Sequence, residues 1–380
     1  NMSEEIYIFR SFFSDIYRDG SDKLRAHRPR HPVGAAGEWR VIMKKWKLLT
    51  AVLLSTGLLL TGCSGAPAEY GDSGEGGKAA AESGSGDNDL TVAIQSDPTG
   101  LDPHMVTDRA AGIAIENLYN TLFTYTETYG EAAPSLVDTY EISEDGLTYT
   151  MHLHEGVKFH SGNTMTSADV KYSLERIKNS GARASQMEKI SSIETPDDNT
   201  VVITLSSQYA PFLTYLANPL NAIVDQAVTE ENGGNLANVD AGSGPFALTA
   251  WNEGSSVDME AFSDYWEESK PQVDTLTLRT ITDATARATA LRNGEIDMII
   301  DAVDQEKAVL EGAEGVVLES VPGTFWEYVG MNCQSESLKD PKVRQAIAYA
   351  IDREAINTAV KMGSATVLTE TDIPSTHEYF

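Results

Sequence analysis

Cysteine is nearly absent. Cys63 and Cys333, two in 380 residues, are too few for a disulfide framework or for a zinc site built from several thiolates. Basic residues are scarce, with 28 Lys+Arg against 57 Asp+Glu and a formal net charge of −29. A polyanion of that size excludes general nucleic-acid binding. No apolar run reaches the roughly 20 residues of a membrane-spanning helix. Also missing are Gly-x-Ser-x-Gly, His-Glu-x-x-His and a dinucleotide fingerprint. Gly77-Lys78 resembles the end of a phosphate-binding loop, but Asp72 and Ala79 stand where that loop needs Gly and Ser or Thr. Among so many acids no acid–base pair stands out, so no catalytic residue, cofactor or enzyme activity is assigned. What remains is a globular composition, 41% hydrophobic and 22% charged, long enough for two or three domains.

The charge is uneven. Residues 1–42 are nearly balanced, residues 43–62 carry three lysines and no acid, and residues 63–380 hold the whole acidic excess. Met43-Lys44-Lys45-Trp46-Lys47, the thirteen residues Leu48 to Leu60 and Thr61-Gly62-Cys63 form the three parts of an export signal. Leu60-Thr61-Gly62-Cys63 resembles the bacterial lipobox, which implies lipidation of Cys63 and attachment to the membrane. Residues 63–89 are rich in Gly, Ala, Ser and acid, a composition that reads as a flexible spacer. An export signal belongs at an N-terminus, so residues 1–42 read as a non-native upstream extension.

From Leu90 onward, strand and helix signals alternate in an α/β or mixed α+β pattern, without an internal repeat. Leu90 to Ile94 reads as a strand, and Asp108 caps a helix from Arg109. Leu147, Tyr149, Met151 and Leu153 alternate with polar residues along a second strand. Thr166-Ser167-Ala168-Asp169 is a capping box, and Ser191 to Leu205 reads as a hairpin. A second unit is expected from Val273: a strand to Ile281, a helix between Asp283 and Asn293-Gly294, and further strands at Ile296–Ile300, Val316–Val321 and Phe325–Asn332. Asp340-Pro341 opens a helix carrying Val343, Ile347 and Ile351.

Seven stretches, in order, resemble the peptide/nickel-type extracellular solute-binding proteins of ABC importers, family five. They are Leu101-Asp102-Pro103-His104, Asn117 to Phe123, Asp145 to Thr150, Gly156 to Gly162, Met165 to Val170, Gly242-Ser243-Gly244-Pro245-Phe246, and Asp340 to Arg353. The resemblance implies two α/β lobes around a hinge, with residues 90–272 as the first lobe and residues 273–380 as an incomplete second. It further implies a lipid-anchored, extracytoplasmic monomer, in a periplasmic space or on a Gram-positive surface. Such a receptor captures oligopeptides or dipeptides between its lobes and hands them to the ABC permease and ATPase subunits. Nickel, haem or oligosaccharide capture by the same fold is the alternative.

The candidate ligand residues are Asp97, Pro98, Thr99 and Gly100 after the first strand, where α/β folds place their ligands. Gly242, Ser243 and Gly244 allow close backbone approach. Tyr172, Trp326 and Tyr328 match positions where relatives contact ligand, although core packing is the favoured reading of Tyr172. A competing reading from another class takes His152, His154 and His160 as ligands of a zinc-dependent hydrolase. Ordinary strand and turn roles outweigh it, and no metal site is assigned. Cys333 reads as a small buried hydrophobe.

Overall fold

The computed structural model describes residues 88–126, 131–268, 271–319 and 327–368. Residues 1–42, the signal segment, Cys63 and nearly all of the spacer lie outside the described residues. Among the described residues no helix is long and apolar enough to cross a membrane.

Strand β1 (Asp89–Ile94) is followed by helix α1 (Arg109–Leu118). The Asp108 carboxylate caps α1 by accepting the Ala111 N–H at 2.9 Å. A short ribbon, β2 (Phe123–Tyr125) and β3 (Ala132–Pro134), leads to β4 (Val137–Ile142) and β5 (Thr148–Leu153). Tyr149, Met151 and Leu153 of β5 are buried and His152 is exposed, as the alternation requires. Helix α2 (Ser167–Ser180) starts at the capping box, where Asp169 accepts the Thr166 N–H at 2.8 Å. The hairpin is β6 (Ile190–Asp197) and β7 (Thr200–Leu205), turning at Asp198-Asn199. Strands β4, β5, β7 and β6 form an antiparallel sheet.

Two short helices, α3 (Phe212–Leu216) and α4 (Gln226–Glu231), lead to the hairpin β8 (Phe246–Asn252) and β9 (Ser256–Ala261). Then come β10 (Thr275–Thr280), α5 (Ala284–Asn293) and the two-residue β11 (Met298–Ile299). Asp283 caps α5, and Gly294 ends it in the left-handed conformation that glycine adopts without strain. These strands join β1 in a mixed sheet of order β11-β1-β10-β9-β8, with β1 parallel to both neighbours. Asp89 pairs with Thr275 and Ile94 with Thr280.

The boundary expected at Val273 is therefore not a structural break. The strand that follows it lies inside the sheet of β1, because Leu276 and Leu278 complete the core begun by Leu90, Val92 and Ile94. That core lies between one sheet face and α1. On the other face Ala93 meets Ala290 and Ile296 around α5. A second core fills the space between the antiparallel sheet and α2, with Met151, Val170, Leu174, Ile177 and Val201 fully buried.

Helices α6 (Asp304–Leu310), α7 (Pro341–Ala350) and α8 (Arg353–Val360) follow. Asp340 caps α7, with Pro341 in its first turn. The strands expected at Val316–Val321 and Phe325–Asn332 are not formed in their described parts. A strand needs a hydrogen-bonded neighbour, and none of the described strands pairs with either segment, so Val317 stays 82% exposed and Val329 63%. Cys333 is likewise exposed rather than buried, because no core forms around it.

Candidate functional site

Parallel strands offer ligands a crevice at their carboxyl ends, most readily where neighbouring connections leave on opposite faces of the sheet. Here that point is β1. Its own connection, α1, packs on one face, and α5, which links β10 to β11, packs on the other. The loop Gln95 to Thr107 leaves β1 at this point and carries Asp97, Pro98, Thr99 and Gly100.

Asp97 is half-buried. Its Oδ1 accepts long hydrogen bonds from Trp251 Nε1 and Thr280 Oγ1, both at 3.4 Å. Among the described residues nothing donates to Oδ2, so the carboxylate keeps acceptor capacity. Pro98 and Gly100 are buried and shape the turn, with Leu101 N–H held by the Ala237 carbonyl at 2.8 Å. Thr99 is exposed and donates to the helix cap Asp108. On the other side of β1, Arg109 grips Asp301 through two hydrogen bonds, Nε to Oδ2 at 2.7 Å and Nη2 to Oδ1 at 3.2 Å. Asp301 is buried with φ of 58°, a left-handed conformation that costs a non-glycine residue energy. The Gln95 side chain donates to its carbonyl.

A buried ionic cluster anchors the loop from behind. Arg176 on α2 donates to both oxygens of Asp102, to His104 Nδ1 at 2.7 Å and to the Gly234 carbonyl at 2.8 Å. His104 Nε2 donates to the Ala222 carbonyl at 2.9 Å, so the neutral ring satisfies every partner. Burial lowers the His104 pKa to about 4 against that bond's opposing pull, and the Arg176 charge pushes the same way as burial. Burial raises Asp102, but the hydrogen bonds and charge of Arg176 outweigh it and hold the carboxyl below its usual range. The stretch Leu101-Asp102-Pro103-His104 thus works as a brace.

The other predicted residues fall elsewhere. Gly242, Ser243 and Gly244 are buried, and their smallness serves packing. A Cβ on Gly242 would lie 1.8 Å from the Leu118 carbonyl oxygen, and one on Gly244 2.3 Å from that of Asn117. The close approach is to the end of α1. Tyr172 packs against the first core, as its favoured reading has it, and its hydroxyl feels Arg176, Glu230 and Asp102. Tyr328 is 72% exposed, and Trp326 lies outside the described residues.

The three histidines do not converge. His160 Nδ1 faces Asp240 at 2.8 Å and its Nε2 faces the Gly244 carbonyl at 2.9 Å, so both ring nitrogens are engaged within the fold. His154 stacks on Trp266 and His152 meets Thr200. Among the described residues no group of three or more His, Cys, Asp or Glu side chains could hold a metal ion.

Sequence reasoning missed Trp251, Thr280, Arg109 and Asp301. One signal was available. Arg109 is a cation in the first turn of a helix, where the helix dipole disfavours it, and such a placement calls for an acidic partner. Asp301 is 192 residues away, and nothing local marks it.

Comparison with known proteins gives one consistent answer. Residues 131–380 match the model of "Bacterial extracellular solute-binding proteins, family 5 Middle". The glutathione-binding protein GsiB of Pectobacterium atrosepticum is 33% identical over 294 residues, 77% of this chain and 57% of that protein. The periplasmic binding protein DppA of Helicobacter pylori, solved with the peptide STSA, has a TM-score of 0.67 at 29% identity, covering 76% of this chain and 60% of that one. NikZ of Campylobacter jejuni, solved with Ni(L-His), has a TM-score of 0.65 at 26% identity, covering 74% and 57%. The chain spans a little over half the length of the curated relatives it matches.

Proposed function

The chain belongs to the family 5 bacterial extracellular solute-binding proteins, and from that premise we propose that it captures short peptides at the carboxyl edge of β1 and β10 for an ABC importer. The observation that carries this reading is the open acceptor of Asp97, set at the point where α1 and α5 part to opposite faces of the sheet. A peptide presents an ammonium end and a row of backbone N–H groups, and both suit a carboxylate beside a loop of fixed backbone. Trp251 supplies an apolar wall next to that acceptor. Nickel capture is the weaker reading, since the edge offers no imidazole or thiolate among its described residues.

The remaining parts of the reading follow from the sequence. Lipidated Cys63 tethers the protein outside the cytoplasm, and the spacer to Asp89 lets the body reach a permease and its ATPase. Residues beyond Leu310 belong to a second lobe that closes over the ligand, and closure is driven by contacts made with both lobes.

Peptide binding is tested by thermal unfolding of the full chain with di-, tri- and tetrapeptides. At ten times Kd a bound peptide raises the melting temperature by about 3 °C. Asp97→Ala should abolish that rise and Trp251→Ala should halve it or more. A peptide-induced rise that survives Asp97→Ala would move the site elsewhere, and no rise with any peptide would remove the reading.

A further inference from the structure

A cavity of about 360 Å³ lies between the two cores, near the lower end of the range for small-molecule sites. It is distinct from the carboxyl edge. Helix α1 begins at Arg109 beside that edge and ends with Glu116 and Asn117 in the cavity wall, and its rise of about 1.5 Å per residue separates the two ends by roughly 12 Å. Asn120, His154, Trp266 and Glu267 also line the wall. Its acids are Glu116 and Glu267, and among the described residues no lysine or arginine lines it.

A chain of hydrogen bonds fixes how the wall presents itself. Trp266 Nε1 can only donate, and it donates to Asn120 Oδ1 at 3.2 Å, where Ser243 Oγ also donates at 3.3 Å. The Asn120 amide is therefore oriented, and its Nδ2 donates to the Tyr265 hydroxyl oxygen at 3.3 Å. The Tyr265 hydroxyl lies near Glu267 and favours the charged form of its carboxyl. Tyr265 is buried, so the donor does not wander. The donors run from Trp266 and Ser243 through Asn120 to Tyr265, which neighbours Glu267 of this wall. Burial pushes that carboxyl above the usual range, against the Tyr265 bond and the nearby His154. No salt bridge pairs it with a lysine or arginine of the described residues. What it lacks is a cation.

We propose that this cavity binds a compact organic cation, a primary ammonium compound, with the charged nitrogen seated on Glu267. The acidic excess of the chain raises the local concentration of such cations.

The test is isothermal titration of the full chain with 1,4-diaminobutane, at physiological salt so that loose counter-ion association is screened. The neutral 1,4-butanediol is the control. Saturable binding of the diamine alone is expected. Glu267→Gln should weaken it at least tenfold, Ser135→Leu should block it by filling the cavity that Ser135 lines, and Asp97→Ala should leave it intact. Undiminished affinity in Glu267→Gln, equal binding of the diol, or no saturable heat would overturn the proposal. Loss in Asp97→Ala alone would also overturn it, by placing the diamine at the carboxyl edge, and would leave the peptide reading standing.

Discussion

The stretch from Asn88 to Leu310 and the stretch from Glu311 to Lys361 carry the same local signals and reach different ends. Asp108 and Asp283 cap helices in the first, and Asp340 and Asp352 cap helices in the second, each by accepting a backbone N–H. In the first stretch Ile113, Ile115 and Leu118 of α1 are buried. In the second no described residue is buried, and Val343, Tyr349, Ile356 and Val360 stand exposed on α7 and α8. A cap and a helical period are enough to place a helix. Only an opposing surface decides whether its apolar stripe becomes core.

The largest effect should come from breaking an ion pair in each stretch. Arg176→Ala strips the buried Asp102 of its charge partner and should cost about 3–5 kcal/mol in urea unfolding. Lys361→Ala removes the mostly exposed Glu327 pair and should cost about 0–1 kcal/mol. Equal costs would mean that the two stretches are packed alike.

Acid should attack the first stretch through His104. Its pKa is about 4 in the folded protein and near 6.5 when unfolded, so between those values the unfolded chain binds the extra proton. Stability is therefore full above about pH 7 and falls as pH drops through that window, by on the order of 3 kcal/mol in all. Asp102 adds a further loss below its unfolded value of 3.8. A stable His104→Gln variant should flatten the curve between pH 4 and 6.5, read as urea midpoints against pH.

A smaller effect than that of Arg176→Ala or of acid belongs to a cap. Asp340→Ala should weaken α7 by about 1 kcal/mol. Hydrogen exchange should speed up within α7 while the protection of β1 and β10 stays unchanged, because α7 shares no core with them.

These contrasts match what could be read in the sequence. The caps at Asp108, Asp283 and Asp340, the capping box at Thr166, the alternation of β5 and the hairpin at Asp198-Asn199 are all local, and all were legible. Pairing across the chain was not. The strand after Val273 looks like the start of a new unit until its partner, β1, is known. The roles of Gly242 and Gly244 depend on how closely the end of α1 approaches, a distance that no motif encodes. At the carboxyl edge the Asp97 loop was legible from its place after a strand. Trp251, Thr280 and Asp301 reach it from later strands, and the cavity beside Glu267 left no mark in the sequence at all.

The pairing of β1 with β10 also sets an order in time. The residues it joins, Asp89 and Thr275, lie 186 apart, so the first strand leaves the ribosome long before its partner. At about 5–20 residues per second the wait is roughly 10–40 s. During it, β4 to β7 can complete their own antiparallel sheet, whose pairings all lie between Val137 and Leu205. Closing the longer loop is the slow, entropically costly event. The strand made first among the described residues is thus among the last to find its place.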